Sequence, residues 1–262
     1  MDDRHTEDRR PVPGTQTLSR GLRLLEHVGA GVTDLRGLSE RMGAPRSTVA
    51  RMLANLVAEG YLHHVPYQGY SLGTKLILLG QRAREQRPLT ALARSQLEAL
   101  ARATCDTVHL GTLDAGEVLY LDKVAGSRGL EMRSRVGARM PIASTGLGKA
   151  MMIGLPEETW PDAHGRAVIF AAAPNRPDMR DYATLADDLR QSRARGFAVD
   201  LEENEFGIRC VAAPLRDATG AVVGAISVAS AVTFLPEPRL HDLGPDVVRA
   251  ANEISMVLGW TG

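Results

Sequence analysis

At 262 residues, with 44% hydrophobic and only 4% aromatic side chains, the chain is long enough for two modest domains with aliphatic cores. The formal net charge is zero, but the total hides an asymmetry: ten Lys and Arg stand against five Asp and Glu between Thr15 and Arg87, and eighteen against twenty-two from Pro88 onward. Cys105 and Cys210 stand alone, which excludes a disulfide scaffold and a zinc site. With no h-region and no apolar run near the ~20 residues that span a bilayer, the expectation is a cytosolic protein with no membrane partner.

Residues 1–14 are charged and hold Pro11, Pro13 and Gly14, the composition of a disordered tail. A first helix follows, with Leu18, Leu22, Leu25 and Val28 as its apolar stripe, and Gly29-Ala30-Gly31 ends it. Leu35, Leu38 and Met42 recur at helical spacing before the break at Gly43-Ala44-Pro45. A second periodic run carries Val49, Met52, Leu53 and Leu56. Gly60 stops it, and Tyr61 to Tyr70 reads as a hairpin around Pro66-Tyr67-Gln68-Gly69. A helix pair over 34–58 followed by a wing over 61–72 forms the parts of a winged DNA reader occupying 15–73. Thr74 to Arg87 is a single helix, and Pro88 marks its end.

The rear portion, 89–262, alternates helices with strand hairpins. Leu89–Thr104 is an amphipathic helix. Thr107–Leu113 and Val118–Val124 flank the turn Asp114-Ala115-Gly116-Glu117, and Glu131–Val136 alternates as a further strand. Ser144–Met152 and Tyr182–Arg195 read as helices. Ile208–Leu215 and Ala221–Ala229 form a second hairpin, and a helix from about Arg239 to Leu258 closes the chain. The pattern predicts an α+β fold: an antiparallel sheet with helices packed on it behind the winged helix-turn-helix and a linker helix over 74–88.

On the second helix of the pair, Arg46, Ser47, Thr48, Arg51 and Asn55 lie on or near the face opposite Val49, Leu53 and Leu56, with Pro45 suited to the first turn. Arg reads guanine and Asn reads adenine bidentately, while Ser and Thr reach bases or phosphates. Arg20, Arg23 and Arg41 are candidate phosphate contacts, with His63, His64 and Gln68 on the wing.

From Thr17 to Gly259 the sequence resembles transcriptional regulators of the isocitrate lyase regulator (IclR) family. The front motifs are Leu18-Ser19-Arg20-Gly21-Leu22-Arg23-Leu24-Leu25, Pro45 to Leu53, Leu56 to Leu62 and Tyr70-Ser71-Leu72-Gly73. The rear motifs are Val136 to Pro141, Ser144 to Ala150, and the run from Arg195 through Asp200 to Cys210-Val211-Ala212-Ala213-Pro214. The resemblance implies a winged helix, a linker helix and a GAF-like effector domain that binds a small molecule. It also implies a homodimer or tetramer acting as repressor or activator on a double-stranded, palindromic operator. By the same resemblance, effector contacts fall on Leu130, Met140, Gly146, Leu147, Asp200, Ile208, Cys210 and Ser227.

The residues themselves are compatible with a pocket. Ser144 to Gly148 opens a helix whose free N–H groups suit a carboxylate. Ala225, Ser227 and Ala229 share one strand face, as do Ile208, Cys210 and Ala212. Some family members carry a second serine where this chain has Ala229, a loss of ~1 kcal/mol or more of ligand contact, which turns the expectation from compact keto acids toward a more apolar or aromatic acid.

Other chemistry is excluded. Gly146-Leu147-Gly148-Lys149 is no phosphate loop, because Ala143 and Ala150 stand where a glycine and a hydroxyl residue are required. The acidic run Asp200, Glu202, Glu203, Glu205 reads as a solvated turn between strands, with Asp200 alone facing the pocket. His109 stands in a strand with no nearby partner, and no catalytic set or cofactor site is recognisable. Two alternatives stay open: a constitutive DNA-binding regulator with a vestigial pocket, and a metabolite-binding module or enzyme whose winged helix serves protein contacts.

Overall fold

The computed structural model describes residues 15–86, 88–129 and 132–262. The expected tail 1–14 and the candidate contact Leu130 lie outside them. The chain divides between Arg87 and Pro88 into two compact units.

The front unit runs α1 (Gln16–Gly29), α2 (Leu35–Met42), α3 (Arg46–Ala58), β1 (Leu62–Val65), β2 (Gly69–Leu72) and α4 (Thr74–Gln86). Asp34 starts α2 by accepting the N–H groups of Arg36 and Gly37, and Gly43 ends it in the left-handed conformation at φ 55°. Pro45 sits one place before α3 as its N-cap, where its carbonyl takes the amides of Thr48 and Val49. Leu24, Val28, Leu38, Val49, Leu53 and Leu62 close the core. The stripe expected on α1 therefore divides: Val28 is buried, but Leu18 and Leu22 are 64% and 53% exposed, because Leu24, one turn before Val28, takes the core position.

The wing is a two-stranded antiparallel hairpin, Leu62 opposite Leu72 and Val65 opposite Gly69. The amide of Tyr70 donates to the carbonyl of Thr33 at 2.8 Å. Gly69, at φ 88°, passes so close to that carbonyl that a Cβ would stand 2.3 Å from its oxygen.

The rear unit runs α5 (Leu89–Thr104), β3 (Thr107–Asp114), β4 (Glu117–Val124), β5 (Arg139–Pro141), α6 (Gly146–Met152), a 3₁₀ turn (Glu157–Thr159), α7 (Trp160–Ala171), α8 (Tyr182–Arg195), β6 (Ala198–Leu201), β7 (Ile208–Arg216), β8 (Val222–Ala231) and α9 (Glu237–Val257). The strands form one antiparallel sheet in the order β5-β4-β3-β8-β7-β6. Its two faces are sorted by the period-two alternation of side chains. Val108, Leu110, Val211, Ile226 and Val228 meet Leu97, Leu240, Val247 and Ile254 of α5 and α9. On the other face, smaller residues such as Ala198, Ala212 and Ala225 leave room for Leu147, Met151, Trp160 and Leu189 of α6, α7 and α8. This is the α+β arrangement that the pattern predicts.

One expected strand is absent. Residues 132–136 make no ladder; the edge of β4 is paired instead by β5, three residues further along. The polar partners of this segment explain its shape. The Lys123 ammonium donates to the carbonyls of Met132 and Ser134 at 2.7 and 2.9 Å, so a side chain satisfies groups that a strand would have paired.

Candidate functional site

Two surfaces carry chemistry, one in each unit. On the front unit, Arg46, Ser47, Arg51 and Asn55 are exposed along α3 and Thr48 is half-buried, while Val49 and Leu53 are fully buried beneath them. Arg20, Arg23, Arg41, His63, His64 and Gln68 are exposed as well, and the His64 ring lies 4.5 Å from that of Tyr70. Among the described residues no carboxylate pairs with Arg20, Arg23, Arg41, Arg46 or Arg51. Guanidinium groups held in water without carboxylate partners have no ion pair to break before meeting a phosphate backbone. Arg51 and Asn55 differ from Arg46 and Ser47 in one respect: they also rim a groove of about 560 Å³ between α1 and α3, floored by Leu22, Leu25 and Met52.

On the rear unit, strand register brings a set of polar groups to the small-residue face. Asp200 pairs with Cys210 across β6 and β7, Cys210 with Ala229 across β7 and β8, and His109 with Ser227 across β3 and β8. Together with the start of α6 they enclose an inner cleft of about 40 Å³, lined among others by His109, Gly146, Leu147, Asp200, Ile208 and Cys210. Five of the expected effector contacts therefore meet in one place. Met140 does not reach it but lines an adjoining outer chamber of about 360 Å³. Ala229 stands in the wall of the inner cleft, and Ser227 does not.

The buried groups of this site hold one another. The Cys210 thiol donates to Asp200 Oδ2 at 3.3 Å, and the backbone N–H of Glu203 donates to Asp200 Oδ1 at 2.7 Å. Burial, reinforced by the nearby Glu203 carboxylate and only partly opposed by Lys149, pushes Asp200 up to about 7. Burial likewise pushes the Cys210 thiol up, with Asp200 adding to it, and raises the Tyr120 phenol beyond its ordinary range. His109 moves the other way, down to about 3, because burial disfavours its charged form and Lys123 repels it. The imidazole is neutral, and its Nε2 lies 2.7 Å from Ser134 Oγ.

Two expectations are corrected here. His109 has a partner, and it arrives from a segment 25 residues away. The acidic run is not a solvated turn: Glu203 is 5% exposed, and its Oε1 accepts from the Lys149 ammonium at 2.7 Å. Lys149 is fully buried and also reaches Asp188 at 3.0 Å. Burial alone would lower its pKa, but Glu203 and Asp188 hold it above the ordinary lysine range. The lysine that failed as a phosphate binder is therefore the central cation of a structural network under the cleft.

The start of α6 also differs from its expected part. The helix has seven residues, and one of its first donors is already engaged, the Gly148 N–H donating to Thr145 Oγ1 at 3.0 Å. Proximity favours glycine at 146, since a Cβ there would lie 3.0 Å from the Cys210 sulfur, closer than most such contacts. Sequence reasoning passed over Tyr120, Ser134, Asn204 and Glu205, which line both the inner cleft and the outer chamber. The buried Oδ1 of Asn204 has no hydrogen-bond partner among the described residues. Among the described residues no cluster of His, Cys, Asp and Glu is arranged to hold a metal ion, and no helix is long and apolar enough to cross a membrane.

Comparison with known proteins decides the family. Residues 17–66 match the IclR helix-turn-helix domain, and residues 81–256 match the C-terminal domain of the bacterial transcriptional regulator IclR. The chain belongs to the IclR family. It is 30% identical to the acetate operon repressor of Salmonella typhimurium over 257 residues, covering 96% of this chain and 93% of the repressor. The crystal structure of Thermotoga maritima IclR superposes with a TM-score of 0.61 at 27% identity, covering 93% and 99% of the two chains. An IclR homologue from Microbacterium hydrocarbonoxydans, solved in complex with 4-hydroxybenzoate, shares the fold at 22% identity with a TM-score of 0.57, covering 92% and 98%. This IclR-family chain is thus a DNA-binding transcriptional regulator with an effector-binding C-terminal domain, and not an enzyme.

Proposed function

We propose that the regulator's grip on its operator is set by a small organic acid held in the inner cleft and outer chamber of the rear unit. The observation that carries this reading is the cleft itself: ionisable side chains withdrawn from water, facing a space, with the unpartnered Asn204 Oδ1 in its wall. Native proteins seldom leave such groups unsatisfied unless a ligand or water completes them. The 4-hydroxybenzoate bound by the Microbacterium homologue supports an aromatic carboxylate as the ligand class.

On this reading Arg46, Ser47, Thr48, Arg51 and Asn55 face the major groove, and Arg20, Arg23, Arg41 and His64 contact phosphates. The exposed Leu18 and Leu22, with Ile77, Leu78 and Leu79 on α4, favour association of front units into a homodimer. Two-fold symmetry then sets half-sites about 34 Å apart, or a multiple of it. An effector acts only through unequal affinity for the DNA-competent and incompetent states.

The test begins with selection of bound fragments from a random genomic library, which supplies the operator. Release of that operator on adding a panel of organic acids is the expected outcome. Tight, salt-sensitive binding that no acid alters favours the constitutive regulator, a reading to which the smallness of the inner cleft lends weight. A protein that retains no DNA sequence selectively refutes both.

A further inference from the structure

The two cavities differ in the charge they present. Among the described residues no Lys or Arg lines the inner cleft; its ionisable walls are Asp200, Glu205, His109, Tyr120 and Cys210. Lys149, the cation underneath, is committed to Glu203 and Asp188. A carboxylate placed in the inner cleft would face two carboxyl groups with no free cation among the described residues to balance it, and the Gly148 N–H of α6 is already spent on Thr145. A hydroxyl is different, since it can donate to Asp200 or to Asn204 Oδ1 and accept from its neighbours.

The outer chamber carries the opposite sign. Arg133 and Arg176 both line it. Arg133 is 88% exposed and lies 3.5 Å from Glu205. Arg176 is half-buried, has no carboxylate partner among the described residues, and is fixed with its guanidinium carbon 3.8 Å from the centre of the Phe170 ring. A guanidinium that stacks on a ring keeps its N–H edge free for a planar anion. Size points the same way. About 40 Å³ accommodates a few waters or one small polar group, so any larger acid must continue past the shared wall of Tyr120, Ser134, Asn204 and Glu205 into the 360 Å³ beyond.

From this asymmetry we infer that the effector is a two-ended organic acid, with a hydroxyl inserted between His109, Asp200 and Asn204 and a carboxylate held outside by Arg176. The inference rests on the proposed effector site and adds to it the ligand's polarity, its minimum length and the residue that selects its charge. Tyr120, Met140 and Pro174 flank the body of such a molecule between its two ends.

The experiment is calorimetric titration of the full-length protein with 4-hydroxybenzoate, 4-hydroxybenzamide, benzoate, and the compact keto acids glyoxylate and pyruvate. In the unmodified protein 4-hydroxybenzoate should bind at least tenfold more tightly than the neutral amide, and at least tenfold more tightly than benzoate, which lacks the hydroxyl. In Arg176→Gln the preference for acid over amide should fall to about unity while the preference for the hydroxyl persists. Arg176→Lys, which keeps the charge, should retain part of the acid preference. Equal affinity for acid and amide, or an acid preference that survives Arg176→Gln, overturns the inference. If the compact keto acids bind and the hydroxyaryl acid does not, the two-ended ligand is wrong while the effector site stands. If no acid of either kind binds, the effector site falls and the inference with it.

Discussion

The front unit keeps its working charges in water, and the rear unit buries them. Arg20, Arg46 and Arg51 stand exposed without carboxylate partners among the described residues, whereas Lys149, Asp200 and Glu203 are almost wholly withdrawn from solvent and bound into one network. The difference follows from what each charge must do. A cation meant for phosphate must be free before its partner arrives, and solvent keeps it so at little cost. A charge that shapes a cavity must hold one position, and only a dense set of partners offsets its desolvation.

The sharpest way to break this contrast is to remove the buried cation. Lys149→Met leaves Glu203 and Asp188 without their ammonium and should destabilise the protein by about 3–5 kcal/mol, read as a lower urea midpoint. A loss below about 1 kcal/mol would mean that the network is not what holds the cleft. On the front unit, Arg46→Ala should leave the urea midpoint unchanged and weaken operator binding by about 1–3 kcal/mol if the side chain reads a base. Arg20→Ala should instead weaken all DNA alike and lower the salt slope by about one. An Arg46→Ala effect equal on operator and random DNA would move that residue to the phosphate set.

The pH dependence of stability sharpens the contrast within the rear unit. Asp200 is raised from an ordinary 3.8 to about 7, so the folded chain holds that proton more tightly than the unfolded one. Its contribution is complete below about pH 4 and is lost as pH rises through 7. His109 is lowered from 6.5 to about 3, so its contribution is complete above about pH 6.5 and is lost as pH falls toward 3. The two oppose each other over the same window. Asp200→Asn should therefore gain stability relative to the parent as pH rises from 4 to 7, and His109→Asn as pH falls from 6.5 to 3, both measurable by urea melts across that range. Parallel curves for parent and variants would refute the burial of these groups. The smallest effect belongs to the exposed pair of Arg36 and Glu40, 74% and 66% exposed: Arg36→Ala should produce no resolvable shift in the urea midpoint.

What the sequence revealed follows the range of the interactions. Helix boundaries in the front unit depend on neighbours, so Gly43 and Gly60 marked them. The rear hairpins were equally legible from alternation and turn residues. Helix α7 is not among the expected elements; it carries Pro161 and Gly165, yet proline is accepted in a helix's first turn and Trp160 anchors the start in the core. The strand expected over 131–136 gave way to a lysine from β4, which no local pattern announces. Glu203 looked solvated because its partner, Lys149, lies 54 residues earlier. Strand faces did place Asp200 and Cys210 beside the cleft, since alternation and register are themselves local rules. The charges that tune them were hidden in distance along the chain.

The close approach of Gly69 to Thr33 bears on how DNA is measured. The wing is tied by a backbone hydrogen bond to the loop that launches α2, so it does not swing independently of the helix pair. If α3 and the wing contact DNA as proposed, such a reader works as a calliper with a locked jaw, and the stretch of duplex between the two contacts has one permitted length. On that proposal an operator with a base pair inserted there loses one contact or the other, while the same insertion between the proposed half-sites tests a different joint altogether.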